Sequence, residues 1–262
     1  MNQATEPAES FLVELRPLEI TSPWRWMALG WHDFARAPGL GVFYGACFVF
    51  MGWSLLYVFR HAPAYVLGLS GGFLLIGPFL CMGLYSISES LERGEKPTLL
   101  AAVTAWRRRT DTVGIFGLVL LVLEMLWARA TLVVFALSFE GMPDFQGSLI
   151  KLVDPQNLEF IVAWLGLGAL FATLIFSVSV VSIPMILDRR TDAITAGLTS
   201  IRLVTSQPLV MLQWAAMIVG FVVLAMLPAF AGLVFMGPIL GHATWHAYRA
   251  ATVPNNSLMA SR

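Results

Sequence analysis

The chain has 262 residues, of which 58% are hydrophobic and 12% charged, and sixteen basic residues balance sixteen acidic ones. A soluble domain carries roughly twice that charged share. With a mean hydropathy of +0.76, the composition excludes an ordinary soluble enzyme and points to a multi-span membrane protein, and zero net charge leaves no electrostatic footprint for a nucleic-acid partner.

Residues 1–21 carry Glu6, Glu9, Glu14 and Glu19 and lack a basic start followed by an apolar run. This pattern predicts a cytoplasmic tail rather than a cleavable signal, so the first span acts as its own insertion signal. A spanning helix needs about 20 mostly apolar residues, because the hydrocarbon core is about 30 Å thick and each residue rises about 1.5 Å. Segments 40–59, 64–87, 112–139, 158–187, 209–227 and 229–247 meet that requirement. The last two are separated only by a tight turn near Pro228. As one helix they would span nearly twice the membrane thickness, so two helices are predicted.

Basic residues set the orientation. Arg16, Arg25 and Arg36 precede the first span, and Arg93, Lys96, Arg107, Arg108 and Arg109 lie between the second and third. Arg189, Arg190 and Arg202 lie between the fourth and fifth, and Arg249 and Arg262 follow the sixth, whereas only Arg60 and Lys151 fall on the opposite side. Both termini are therefore predicted to be cytoplasmic. The segment 140–159, acidic through Glu140, Asp144, Asp154 and Glu159, is predicted to be external.

The segment before each odd-numbered span reads as a short amphipathic helix. Three such segments superpose without gaps: Trp24, Leu99 and Ile194 align, then Ala28, Val103 and Leu198, then Trp31, Trp106 and Ile201, followed by His32, Arg107 or Arg202. Prolines recur in the second helix of each unit, as Gly77-Pro78, Ile183-Pro184 and Gly237-Pro238. The fold class read from this pattern is an all-α membrane protein with six spans. They form three repeated units, each an interfacial helix plus a two-helix hairpin, over 22–90, 97–187 and 192–249. A single membrane domain, 22–249, is flanked by the tails 1–21 and 250–262. A helix with Trp on one face and Arg at its end lies in the headgroup plane. Three of them make a collar of Trp24, Trp31, Trp106, Arg107, Arg108, Arg109 and Arg202, suited to anionic lipid or to a partner protein.

Small residues mark close helix approach in lipid, where no hydrophobic drive holds helices together. Gly41 and Gly45 form a GxxxG, and Gly71, Gly72, Gly166 and Gly168 read as further small positions. Cys47 and Cys81 sit in apolar runs without CxxC spacing and read as packing residues, not as a disulfide framework.

Glu124 falls near the middle of the third span, where a carboxylate is costly unless it is protonated, paired or facing water. It reads either as a proton or cation relay or as a packing hydrogen bond. Arg129, five residues on, is about 140° around the helix and cannot share its face; it reads as snorkelling or as paired with another helix. His242 and His246 are an i, i+4 pair on one face. They read as a metal or axial haem site, or as interfacial histidines that donate to carbonyls or headgroups. Ser177, Ser179 and Ser182 either line a polar path or bond back to their own helix. Pro78, Pro184 and Pro238 are predicted helix kinks, the kind of break that marks sites in transporters. There is no Walker loop, nucleophile elbow or zinc spacing, so no catalytic residue and no bound metal is assigned.

Three strings carry a family resemblance: SPWRWMALGWHDFARAPG near the start, GPFLCMGLYSISESLERGEKP at the end of the second span and GHATWHAYR at the end of the sixth. Together they resemble a bacterial family of predicted integral membrane proteins, a domain of unknown function, over about residues 16–249. The resemblance implies an inner-membrane protein. Some family members bear a provisional cytochrome c oxidase label. A self-contained haem–copper centre would need more histidine ligands than the four present, His32, His61, His242 and His246; a haem shared with a partner stays open. The leading reading is a non-catalytic accessory, assembly or scaffold component. A small transporter or channel using Glu124 is the first alternative, and a haem- or oxidase-associated subunit using His242 and His246 is the second.

Overall fold

A computed structural model describes residues 13–61, 66–138, 158–189 and 191–253. The acidic residues Glu140, Asp144 and Asp154, together with Lys151, Arg190, Arg262 and most of both predicted tails, lie outside the described residues. Among the described residues ten α-helices follow one another: α1 (Ser22–Arg36), α2 (Pro38–His61), α3 (Val66–Glu92), α4 (Leu99–Val103), α5 (Thr110–Ser138), α6 (Leu158–Ser179), α7 (Ser182–Arg189), α8 (Ala193–Ser206), α9 (Pro208–Met226) and α10 (Leu233–Ala251), with a 3-10 turn, Ala105–Arg109, before α5. No strand forms among the described residues; a single antiparallel bridge joins Leu15 to Thr252.

Local sequence explains where these helices start and stop. Pro38 and Pro208 open α2 and α9, the first-turn position where a missing N–H costs nothing. The residues before them, Ala37 (φ −134°, ψ 55°) and Gln207 (φ −133°, ψ 55°), share one conformation, because a residue that precedes proline is pushed out of the α region. Asp192 caps α8 by accepting from the Ile194 and Thr195 amides at 3.0 and 2.9 Å, satisfying two first-turn donors.

Among the described residues, four helical stretches are long and apolar enough to cross a membrane: Pro38–His61, Ala105–Ser138, Leu158–Arg189 and Pro208–Met226. The second and sixth predicted spans correspond to α3 and α10, which fall outside that set. For α10 the polar last turn explains why. α3 ends in Ser88, Glu89 and Glu92, and α10 in His242, His246, Tyr248 and Arg249. These polar turns pack on one another instead of facing lipid.

Several expected details are corrected. The fourth span is not one continuous helix. It breaks between Ser179 and Ser182, at Val180, whose carbonyl the ring of Pro184 would meet in a continuous helix. Pro184 therefore sits in the first turn of α7 instead of kinking a long helix. Pro78 and Pro238 do lie inside α3 and α10. The sixth helix begins at Leu233, not at 229. The turn before it holds Ala229 (φ 49°) and Phe230 (φ 66°) in the left-handed region, where the indole N–H of Trp53 donates to the Ala229 carbonyl at 2.7 Å. The second short segment is split at Thr104, whose hydroxyl donates back to the Leu100 carbonyl at 2.6 Å.

At the centre lies α10, buried from Pro238 to Ala243 and again at Trp245, Ala247, Tyr248 and Ala251. Neighbouring helices approach it backbone to backbone. A Cβ added at Gly30 of α1 would lie 2.5 Å from the Ile239 carbonyl oxygen and 2.8 Å from the Ala243 nitrogen, and one at Gly45 of α2 would run into the Val234 backbone. Gly41 instead faces the ring of Phe34. Among the described residues, nothing lies within 4 Å of such a Cβ at Gly166 or Gly168 of α6. Small residues mark contact only where another helix is there to meet them.

Candidate functional site

The polar groups converge at one end of the bundle, where α1, α3, α7 and α10 meet. α10 organises them. His242, Trp245, His246 and Arg249 recur at i, i+3, i+4 and i+7, which makes one stripe, and Tyr248 flanks it.

Each residue of the stripe has a distant partner. The imidazole Nε2 of His246 lies 2.8 Å from Asp33 Oδ2 on α1. Nδ1 of His242 lies 2.8 Å from the Ser88 hydroxyl on α3. Trp245 donates its indole N–H to Glu92 at 3.2 Å. Arg249 donates to the same carboxylate at 2.8 Å and lies 3.5 Å from Asp188 of α7. Tyr248 donates to Asp188 at 2.5 Å and accepts from Arg189 Nε at 2.8 Å. Arg189 also donates to the Thr252 hydroxyl at 3.0 Å and to the Val253 carbonyl. Glu89, buried on α3, pairs with Arg93 and with Arg108, the latter at 3.0 Å.

Asp33 is the electrostatic centre of the first of these groups. It is 5% exposed, and burial alone would raise its carboxyl. Hydrogen bonds from His246 and Ser88, with the fields of His246 and His242, outweigh burial and hold it below the usual carboxylate range. An ionised Asp33 makes the facing nitrogen of His246 a donor. Ser88 bonds Asp33, and its one proton goes there, so its oxygen accepts from His242 Nδ1–H. The remaining nitrogen, His242 Nε2, is buried and has no hydrogen-bond partner among the described residues. The arrangement is a relay of four groups that locks α1, α3 and α10 together.

The two histidines predicted as a pair thus share a face but serve different partners. Haem does not fit at His242. The residue is fully buried, Gly30 holds α1 against α10, and Gly241 holds α10 against Leu84 of α3. A macrocycle would have to part these helices. Among the described residues there is no group of three or more His, Cys, Asp or Glu side chains placed to hold a metal ion.

Glu124 stands apart from this cluster. It is 8% exposed and is the last buried residue of an α5 stripe that includes Val113, Phe116, Gly117 and Leu120. Among the described residues no donor reaches its carboxylate, and Arg129 is exposed and does not pair with it. Ser177 and Ser179 donate to the Thr173 and Ile175 carbonyls at 2.6 Å each. Ser182 donates to the Val178 carbonyl and bridges to Ala196 at 3.0 Å, so these hydroxyls are spent on their own backbone.

Around the polar end lie the short helices. Trp24 and Trp31 of α1 are 58% and 57% exposed. Leu99, Leu100 and Val103 of α4 and Ile194, Leu198 and Ile201 of α8 are exposed as well. Trp106 is half-buried beneath the Arg107 guanidinium, 5.5 Å from its ring centre. Arg109 reaches the Thr191 carbonyl at 3.4 Å. Arg202 is exposed.

A family model described as a predicted integral membrane protein (DUF2189) matches residues 65–188. That stretch, less than half of the chain, is similar to the family. It runs from α3 to α7 and so contributes Ser88, Glu89, Glu92, Arg108 and Asp188 to the polar cluster, while Asp33 and the α10 stripe come from outside it. Neither a curated protein nor a solved structure matches the chain.

Sequence reasoning missed Asp33, Ser88, Glu92, Asp188, Arg189 and Tyr248 as site residues. A usable signal was present: polar residues crowd the last turns of two otherwise apolar helices, where groups that avoid lipid must find one another.

Proposed function

We propose that this protein is a non-catalytic accessory or scaffold component of a bacterial inner membrane. It would cross the bilayer six times in three units, with both termini in the cytoplasm and a collar of interfacial helices facing anionic headgroups or a membrane partner. The observation that carries this reading is the outward-facing apolar stripe on all three short helices, at the end of the bundle that also holds the arginines. Such a stripe beside basic residues belongs at the acyl–headgroup boundary. The order of elements supports the three units, since a short helical segment precedes each pair of long helices. The same spacing separates Trp24 from Ile194 and Ala37 from Gln207, so the register read in sequence runs on through two junctions of identical conformation. The bridge between Leu15 and Thr252 brings both ends of the described chain to one side, as an even number of spans requires.

The test is lipid retention. Purified in mild detergent from native membranes, the protein is expected to carry more anionic lipid than a variant with Trp24→Gln, Trp31→Gln and Arg107→Gln, read by mass spectrometry of bound lipid. Equal enrichment in both would remove the collar. A second reading, a small transporter, rests on the buried Glu124 carboxylate, unpartnered among the described residues; it requires proteoliposome flux that Glu124→Gln abolishes.

A further inference from the structure

Where the N-terminal segment crosses the junction of α8 and α9, the fold leaves a cavity of about 310 Å³ lined by Leu15, Arg16, Pro17, Arg202, Ser206 and Gln207. Its frame is hydrogen-bonded throughout. The Arg16 amide donates to the Ala251 carbonyl at 2.9 Å. The Gln207 side chain donates to the Arg16 carbonyl at 2.9 Å and accepts from the Leu18 amide at 2.6 Å. The backbone that carries Arg16 is therefore fixed on both sides. Its guanidinium is not: among the described residues neither Arg16 nor Arg202 has a hydrogen-bonding or carboxylate partner for its side chain. Two like charges brought to one cavity repel unless an anion lies between them, and guanidinium groups match the geometry of phosphate oxygens.

We infer that this cavity binds the phosphate of an anionic phospholipid. The surroundings favour a lipid over a free ion. α9 starts at the cavity with Leu209 and Leu212 strongly exposed, and Ile20 and Trp24 are exposed on the chain leading into α1, so apolar surface for acyl chains adjoins the basic pair. The inference rests on the proposed placement of this end at the membrane interface. It adds a single stoichiometric site to a diffuse collar, which leaves Arg16 as a specific ligand and Gln207 as a positioning residue that holds it in place.

The experiment reconstitutes the full chain in nanodiscs of phosphatidylcholine with a minor share of phosphatidylglycerol and counts retained lipid by native mass spectrometry. The wild type is expected to hold one phosphatidylglycerol, and Arg16→Gln with Arg202→Gln to hold it about tenfold or more weakly. Gln207→Leu, which keeps both charges and frees the Arg16 backbone, is expected to weaken it too. The same protein in detergent is titrated with inorganic phosphate and followed by thermal unfolding. Protection by inorganic phosphate without any preference for phosphatidylglycerol would overturn the lipid assignment in favour of a free-anion site. Retention unchanged in the double-arginine variant would overturn the site itself. If the Trp24, Trp31 and Arg107 variant loses general anionic-lipid enrichment but keeps the one bound lipid, collar and site are separate. If that variant matches wild type in both measures while the arginine pair fails, the collar is wrong and the site stands.

Discussion

The α1, α2, α3 and α10 group and the α5–α6 pair are built from similarly apolar sequence and pack in opposite ways. In the first group backbones touch through Gly30 and Gly45, and polar ends are paired residue by residue. In the second, α5 buries nothing beyond Glu124 and α6 buries only Phe160, while Leu132, Val133, Leu137, Val162, Leu165 and Leu170 face outward. Lipid solvates such side chains as well as protein does, so apolarity alone gives no drive to associate. What separates the regions is the supply of small residues with a helix opposite them and of polar groups with a partner. Among the described residues, α5 beyond Glu124 and α6 have neither.

The sharpest way to break this contrast is to place a side chain where backbones meet. In Gly45→Leu the new side chain has to displace the α10 backbone at Val234, since even its Cβ would overlap there. Overpacking costs about 1–3 kcal/mol, and more where backbone has to move, so thermal unfolding in detergent should show a large loss or no folded protein. Gly168→Leu, in open surroundings on α6, should unfold at or above the wild-type temperature. Equal damage at both positions would mean that α6 has a partner helix.

Removing a polar partner comes next. Asp33→Ala leaves His246 and Ser88 without their acceptor, which costs about 1–3 kcal/mol for buried groups. The effect has a pH signature. Asp33 is held below its ordinary value of 3.8 by its hydrogen bonds, and a carboxyl with a lowered folded-state value contributes stability at pH above the unfolded value. That contribution fades as pH falls below about 4 and is gone once the folded carboxyl is protonated. Unfolding temperature measured from pH 6 downward should therefore fall more steeply in wild type than in Asp33→Asn. Parallel curves would show that the carboxylate is not what ties α1 to α10.

Much of this was legible from residues alone. The three strings that carried the family resemblance contain Asp33, then Ser88, Glu89 and Glu92, then His242 through Arg249, and the fold brings all three to one cluster. Their meeting was not legible, because nothing in the spacing of His242 and His246 points to Asp33, 213 residues away from His246. Read as a pair, the histidines suggested one shared ligand; packed, they answer two different helices. The burial of Glu124 follows from an α5 stripe spaced three and four residues apart. Gly166 and Gly168 have no close neighbour among the described residues: a small residue shows that a helix can be approached, not that anything approaches it. Gly30, which does meet α10, sits between Leu29 and Trp31 and carries no GxxxG.

The smallest effect tests the same contrast with single methyl groups. Ala229 holds φ 49° in the α9–α10 turn, a conformation that costs a non-glycine residue roughly 1–2 kcal/mol. Ala229→Gly removes that strain but gives the unfolded chain more freedom, which leaves a net gain of about 0.5 kcal/mol. The Trp53 bond to the residue-229 carbonyl involves backbone and survives the change. On α6 the opposite exchange should help, since Gly168→Ala lowers the entropy cost of the helix by up to about 1 kcal/mol and meets nothing within 4 Å. Both variants should raise the unfolding temperature by a few degrees or less. If Gly168→Ala stabilised and Ala229→Gly did not, the turn would be held by Phe230 packing on Gly52 instead of being strained at Ala229. The tight half of the molecule would then owe its geometry to side-chain contact even where its backbone is left-handed.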